Sequence, residues 1–385
     1  MAATTGGRRP VLGRVLLARE PGRRRTTEYN AILGIVLVLS LFGLLMVLSA
    51  SSVTALYEHG NSWYETIRQA GWFVLAVLAL WVTQRVDHAF LHRYARAGFV
   101  AAMVLLVLPL LPVIGIEVNG SSRWFGYGMF RIQPSELAKL AMIVFVARVL
   151  TDRADTMRDW RAVLKPILGA VAVFALLLML EPNLGTTMIV VAIVLLMLFV
   201  GGFPMGPLIG LVVTFVMLAS VAAFRVSWRF KRLLSYTDPW SDPLGTGLQS
   251  IQSRVGIATG GLRGVGLGNS RVKWLFLPEA DTDFIFAIVG EELGLLGCLA
   301  VIALLLALGW FGIRTAMRAT DRFGMLLATG ITSWILLQAF VNIGAVVGLL
   351  PITGVPLPFV SAGGSSLIFT MAAVGVLLSV ANRET

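Results

Sequence analysis

Five carboxylates fall within eighteen residues at Leu277 to Gly294, LPEADTDFIFAIVGEELG, in a chain of 385 residues that is 57% hydrophobic and only 13% charged. Glu279, Asp281 and Asp283 come just before a long apolar run, and Glu291 and Glu292 lie inside it. A carboxylate beside or within hydrocarbon is costly, so each needs a partner, a water-filled cavity or a chemical task. Asp281 and Asp283 stand where a helix cap or first-turn acid would stand, and that is one reading of both. Two acids at one terminus exceed what a cap needs. A carboxylate kept ionised at a helix start suits a general base or a metal ligand better than a general acid. Spacing alone leaves the two aspartates level as candidates.

A second group of polar residues lies in GSSRWFGYGMFRIQPSELAKLA, Gly120 to Ala141. Pro134 suits the first position of a helix, with Glu136 in its first turn. Glu136 and Lys139 are three apart, which allows an ion pair within the helix. Arg131 and Lys139 flank that helix start, and two cations there would make an anion site. Trp124 beside Arg123 fits a membrane-interface aromatic or a platform for a sugar or a cation. Gln338 and Asn342 share a helix face at i, i+4 and predict hydrogen bonds between helices. Leu349 to Ser366, LLPITGVPLPFVSAGGSS, is an apolar loop rich in Pro and Gly, and it predicts a segment buried in protein. His88 and His92 are read as solvated loop residues, and the lone Cys298 makes neither an internal disulfide nor a metal site.

The elements that must hold these residues follow from composition. With a mean hydropathy of +0.85 there is too little polar surface to cover a soluble body. The class is an all-α polytopic membrane protein. Apolar runs near 31–53, 68–84, 97–115, 134–150, 163–180, 184–201, 206–224, 283–313, 323–347 and 364–381 predict ten transmembrane helices. Glu181-Pro182-Asn183-Leu184-Gly185 predicts a tight turn between the fifth and sixth. Arg and Lys gather in the short loops on one side, which places both termini in the cytoplasm. The formal charge of +11 is then largely topology, so no nucleic-acid partner is expected. Residues 1–30 read as a basic cytoplasmic tail, and 31–385 as a single membrane domain with a large extracytoplasmic loop, 225–282, between helices seven and eight. That loop carries Arg225, Arg229, Lys231, Arg232, Arg254, Arg263, Arg271 and Lys273 against the charge rule, which fits either solvated arginines or an anionic substrate. Within it Ser227 to Tyr236 predicts an interfacial amphipathic helix, Leu248 to Ala258 a short helix, and Gly260 to Ser270 a flexible glycine hinge.

SSRWFGYGMFRIQPSELAKLA, EPNLGTT, DPWSDPLGTGLQSIQS, LPEADTDFIFAIVGEELG and NIGAVVGLLPITGVPLPFVSAGGSS, in that order, resemble the SEDS family of peptidoglycan glycan-strand polymerases over about residues 30 to 382. The resemblance implies ten transmembrane helices and a membrane cleft for lipid II and undecaprenyl-diphosphate-linked glycan. It also implies that Asp283, in the TDF element, is the catalytic carboxylate, and that Asp281 stands where the family usually has His. Arg131 and Lys139 match the family's functional cations and Arg123 and Trp124 its Arg-Trp pair, and Lys273, Glu279 and Asp281 are counted with them as substrate-binding. No covalent cofactor is implied; a divalent cation, Mg or Mn, could help neutralise the leaving diphosphate, with its ligands unknown. The implied partners are a class B penicillin-binding protein and other divisome membrane proteins, at the septum of the cell membrane. Ala280 and the GGSS at Gly363 to Ser366 resemble the division type (FtsW-like) more than the elongation type (RodA-like). A lipid II flippase or transporter and a pure scaffold are the competing readings.

Overall fold

Backbone polar groups in hydrocarbon must be satisfied internally, and a chain this apolar does so with helices. The computed structural model describes residues 26–112, 114–118, 121–127, 130–157, 159–225, 230, 235–274 and 276–382. Its long helices are α1 (Thr27–His59), α2 (Tyr64–Thr83), α3 (His88–Val107), α4 (Pro134–Asp152), α5 (Trp160–Leu180), α6 (Leu184–Val200), α7 (Met205–Phe224), α9 (Ile285–Arg318), α10 (Arg322–Val346) and α11 (Gly364–Ala381), with a shorter α8 (Leu248–Gly260) between α7 and α9. Among the described residues, eight helices are long and apolar enough to cross a membrane. Of the other two long ones, α6 is apolar but only 17 residues, and α4 carries Glu136 and Lys139. Both α10 and α11 sit at the centre of the bundle: α11 packs along α2, and α9 along α1 and α10.

The boundaries have local causes. Thr26 accepts from the Tyr29 amide and starts α1. Asn183 accepts from the Thr186 amide, so the Glu181–Asn183 turn ends one helix and caps the next. Pro134 opens α4 as its first residue. The helix read over 97–115 stops earlier, because Pro109 and Pro112 cannot continue it, and a single 3-10 turn, Leu108–Leu110, follows.

Beyond that turn the all-α expectation fails locally. Three short antiparallel strands, β1 (Gly115–Val118), β2 (Ser121–Tyr127) and β3 (Phe130–Ile132), form a sheet in the order β1-β2-β3, pairing Ile116 with Trp124 and Phe125 with Ile132. The prolines had already broken the helix, and an irregular backbone outside the bundle pairs with itself.

The long α9 is bent at Gly294, which adopts φ 66°. A break frees the carbonyls and amides that would have bonded across it. Residues 261–266 take those places: the Val265 and Gly266 amides donate to the Glu291 and Glu292 carbonyls, and the Leu295 and Leu296 amides donate to the Gly261 and Leu262 carbonyls. The glycine stretch read as a flexible hinge is thus inserted in a helix ladder. At Gly264, with φ 77°, any Cβ would overlap the Glu292 carbonyl. Most of the amphipathic helix expected over Ser227 to Tyr236 lies outside the described residues, as does the tail to residue 25. His88 and His92 are helical rather than loop residues; buried His88 contacts Ser379, and His92 pairs with Asp152 at 2.7 Å.

Candidate active site at the loop end of the bundle

The segment before α9 does not cap it. The helix begins at Ile285 with Phe284 at the N-cap and no side-chain cap bond, so neither Asp281 nor Asp283 is engaged in that way. The backbone of the segment is instead held by the apolar loop 351–363. The Ala362 amide donates to the Asp281 carbonyl at 2.8 Å, and Ser361 Oγ donates to the Thr282 carbonyl at 2.6 Å. Gln69 of α2 fixes the far side of that loop through the Ser361 carbonyl and the Gly363 amide. Val355, Leu357, Phe359 and Val360 are buried, which is the re-entrant character expected of this stretch.

Asp283 and this loop face each other across a small cavity of about 10 Å³, walled also by Asn342 and Phe284. Gly354, whose φ of 71° favours glycine, lies beside the carboxylate: a Cβ there would stand 3.5 Å from Asp283 Oδ2, in ordinary contact. Ile352 belongs to this cavity and also to a larger cleft of about 440 Å³, lined by Tyr236, Asp242, Thr246, Gln249 and Pro278. A cleft of that size suits a sugar-sized ligand.

Two further acids surround Asp283. Glu279 is exposed, has φ 61°, and accepts from Thr282 Oγ1 at 2.7 Å. Burial pushes the Asp281 carboxyl up to about 6; Glu65 and Glu279 add to the rise, and Arg68 opposes it. Glu65 and Arg68 pair with each other on α2.

The cations counted as substrate-binding are dispersed. Lys139 is 1% exposed, pairs with Glu136 at 2.8 Å and donates to Gln338 Oε1 at 2.8 Å. Its Nζ also lies 4.7 Å from the centre of the Trp334 ring. Gln338 Nε2 in turn donates to the Pro356 carbonyl at 3.0 Å, so Lys139 reaches the Asp283 loop through Gln338. Lys273 is 4% exposed and is held by Glu292, Ser49 and the Gly268 carbonyl at 3.2, 3.2 and 2.7 Å. Glu291 accepts from Ser270 Oγ and the Arg271 and Val272 amides. Lys273, Glu291 and Glu292 thus anchor the glycine segment to α9 and α1. Arg123 lies against the Glu181–Asn183 turn: Nε donates to Ser121 Oγ and the Glu181 carbonyl, and Nη2 to the Pro182 carbonyl. Trp124 is half-buried on β2, and Arg131 is exposed on β3.

Three contributors were not visible as such in the sequence. Asn342 bonds the Asp283 carbonyl, Ser361 bonds the Thr282 carbonyl, and Glu181 is fully buried with neither carboxyl oxygen hydrogen-bonded among the described residues. Burial pushes the Glu181 carboxyl up to about 8, against the pull of Arg123. The neighbouring Gly185 packs on Thr353 and Val355, so this turn backs the wall of the Asp283 cavity. The i, i+4 pattern of Gln338 and Asn342 was the one available signal, and it gave no partner. Among the described residues no three His, Cys, Asp or Glu side chains come together as a ready-made metal site.

The family model described as cell cycle protein, covering FtsW, RodA and SpoVE, matches residues 29–385. Stage V sporulation protein E of Bacillus subtilis is 43% identical over 93% of this chain and 98% of its own length. A probable peptidoglycan glycosyltransferase FtsW of Geobacter metallireducens is 40% identical over 91% and 94%. Among solved structures, a chain from work on structural coordination of polymerization and crosslinking by a peptidoglycan synthase complex superposes with a TM-score of 0.76 at 28% identity, covering 94% of this chain and 98% of that one. The rod shape determining protein RodA of Thermus thermophilus superposes with a TM-score of 0.67 at 25% identity, covering 92% and 96%.

Proposed function

This chain belongs to the FtsW/RodA/SpoVE family of cell cycle proteins, and from that premise we propose how its loop end works. The protein is a peptidoglycan glycosyltransferase that polymerises lipid II into glycan strands. Asp283 is the general base. It takes the proton of the acceptor sugar's 4-hydroxyl as that oxygen bonds to the anomeric carbon of the growing strand. The bond from that carbon to the diphosphate breaks, and its electron pair leaves with undecaprenyl diphosphate. A diphosphate departs without being protonated, so one obligatory carboxylate suffices.

The observation that carries this reading is the cavity where Asp283 meets the buried 352–355 loop, beside a cleft large enough for sugars. Exposed Arg131 is the described cation of the matched set with a surface position from which to meet an arriving diphosphate. Lys139 and Lys273 act behind the site, holding α4, α10 and the glycine segment in place. A divalent cation would have to find ligands beyond a preformed carboxylate cluster, and no step is assigned to it.

With α4 and α6 counted, the bundle has ten spans, and both termini are cytoplasmic. The Asp283 site then faces the outside, where 225–282 forms the large loop. The partners that fit are a class B penicillin-binding protein and the divisome, at the septum. Purified protein with its cognate penicillin-binding partner is expected to lengthen lipid II into glycan strands, and Asp283→Ala is expected to make none. A variant that polymerises normally removes Asp283 from the mechanism; lipid II crossing vesicle bilayers with no polymer formed would make the protein a flippase.

A further inference from the structure

Arg254 of α8 is a half-buried cation with neither an ion pair nor a side-chain hydrogen bond among the described residues. Its guanidinium lies against Gly348, just past the end of α10 with φ 79°, where any Cβ would overlap Nε, Nη2 and Cζ. Nε is buried without an acceptor, whereas the two terminal nitrogens reach the surface. A cation suits this place, the negative end of a helix. The helix end offers it no acceptor, however. The Ile343, Gly344 and Ala345 carbonyls are taken by the amides of residues 347–350, and the Val346 carbonyl accepts from Ser253 Oγ at 3.1 Å. The Leu349 carbonyl accepts from the Tyr236 hydroxyl at 2.9 Å. Arg254 is therefore not a helix cap, and its donors are left for something else. It also stands at the edge of the cleft of about 440 Å³: Tyr236, bonded beside Gly348, and Ser250, one turn before Arg254 on α8, both line that cleft.

We propose that Arg254 is a binding residue for an oxyanion of the ligand that fills this cleft, gripped by the terminal nitrogens of a guanidinium that Gly348 holds in place. A planar fork of N–H groups matches a phosphate or a carboxylate. The hydroxyl, amide and aromatic groups of Tyr236, Thr246, Gln249 and Ser250 suit the sugar to which that anion is attached. Asp242, the acid of the cleft, accepts from the Thr246 amide and hydroxyl through Oδ2 and forms no ion pair with Arg254. Arg263 and Arg271 of the same loop are exposed, where water and salt screen them; Arg254 is partly desolvated, and its pull on an anion is the stronger. Ile352 joins the cleft to the Asp283 cavity, so the bound anion and the reacting hydroxyl belong to one ligand path. The identity of the ligand rests on the polymerase reading. In lipid II two parts carry oxyanions, the diphosphate and the carboxylates of the peptide borne by the sugar, and the test below separates them.

Inorganic diphosphate and a soluble muramoyl pentapeptide are titrated against the full chain in lipid nanodiscs. Arg254→Gln is expected to weaken binding of one of them about tenfold, and Arg254→Lys, which keeps the charge but not the fork, by less. Loss with diphosphate alone assigns the phosphate, and loss with the peptide alone assigns the carboxylate. Arg263→Gln removes an equal charge from the same loop and is expected to change neither affinity. A parent that binds neither probe, a folded Arg254→Gln that binds both as the parent does, or an equal loss in Arg263→Gln overturns the proposal. If Arg254→Gln does not fold, the parent decides: phenylglyoxal modification of Arg254, read by peptide mass spectrometry, must slow when the probe is bound, while that of Arg263 continues unchanged. No protection overturns the assignment. In glycan synthesis Arg254→Gln is expected to raise KM about tenfold with kcat little changed. A parent that binds a probe through Arg254 and yet makes no glycan sinks the polymerase reading alone.

Discussion

The two ends of the bundle treat their charges in opposite ways. At the end where α1 begins, acids and cations are matched: buried Glu28 accepts from Arg314 and Arg318 at 3.0 and 2.7 Å, and Asp152 is shared by Arg148 and His92. Arg322 and Thr26 close that end by donating to the Gly201 and Ala381 carbonyls. At the loop end, carboxyls are placed where burial works against their charge: Asp281 is pushed up to about 6 and Glu181 to about 8. One end is built for stability, and the other holds costly groups in place for chemistry. The buried pairs Glu136–Lys139 and Glu292–Lys273 act there as fasteners.

Substitutions at the two ends should therefore separate activity from stability. The largest effect belongs to Asp283→Ala: glycan synthesis falls by at least about 100-fold while the thermal midpoint stays near that of the parent, measured on the same preparation. Lys273→Ala comes next. It leaves Glu292 buried without its cation and should cost about 3–5 kcal/mol in denaturant unfolding, and Lys273→Met with Glu292→Leu should recover most of that loss. Glu28→Gln, at the matched end, should cost about 1–3 kcal/mol yet leave synthesis per folded molecule unchanged; a selective loss of activity would erase the distinction between the ends.

Two isosteric changes sharpen the comparison further. A buried carboxyl raised from its ordinary 4.5 to about 8 opposes folding increasingly as pH climbs between those values, because the unfolded chain ionises first. Glu181→Gln should therefore stabilise, by on the order of 1–2 kcal/mol at pH 8, with no gain at pH 4. Asp281→Asn should act in the same direction over the narrower window from 3.8 to about 6, and its gain should be the smaller. Thermal midpoints taken across that pH range check both, and a Glu181→Gln gain as large at pH 4 as at pH 8 would contradict the assigned cause.

Much of this was legible in the chain. Apolar runs located the long helices, Pro134 marked the start of α4, and the three-residue spacing of Glu136 and Lys139 gave their ion pair. Asp283 was one of two equal candidates by spacing, and only the likeness to a family ranked it. The sheet at 115–132 was missed because its strands are three to seven residues long and lie between two helices of the expected kind. The partners of Lys139 and Lys273 were hidden because a sequence shows a charge and not what it meets; Gln338 lies 199 residues from Lys139. Asn342 was hidden for a like reason, since its two acceptors lie 59 and 13 residues away in segments that the fold brings to it.

The bend at Gly294 makes α9 two rods with a joint. The shaft, from Leu295 to Arg318, runs on through the bundle, while the short rod from Ile285 to Leu293 is tied by Glu291 and Glu292 to residues 265–273. Asp283 stands two residues beyond the tip of that short rod. Mechanically, Asp283 is mounted on the 265–273 segment and only steadied by the longer shaft. A push on 261–273 is a push on Asp283, delivered over a lever of about two and a half helical turns.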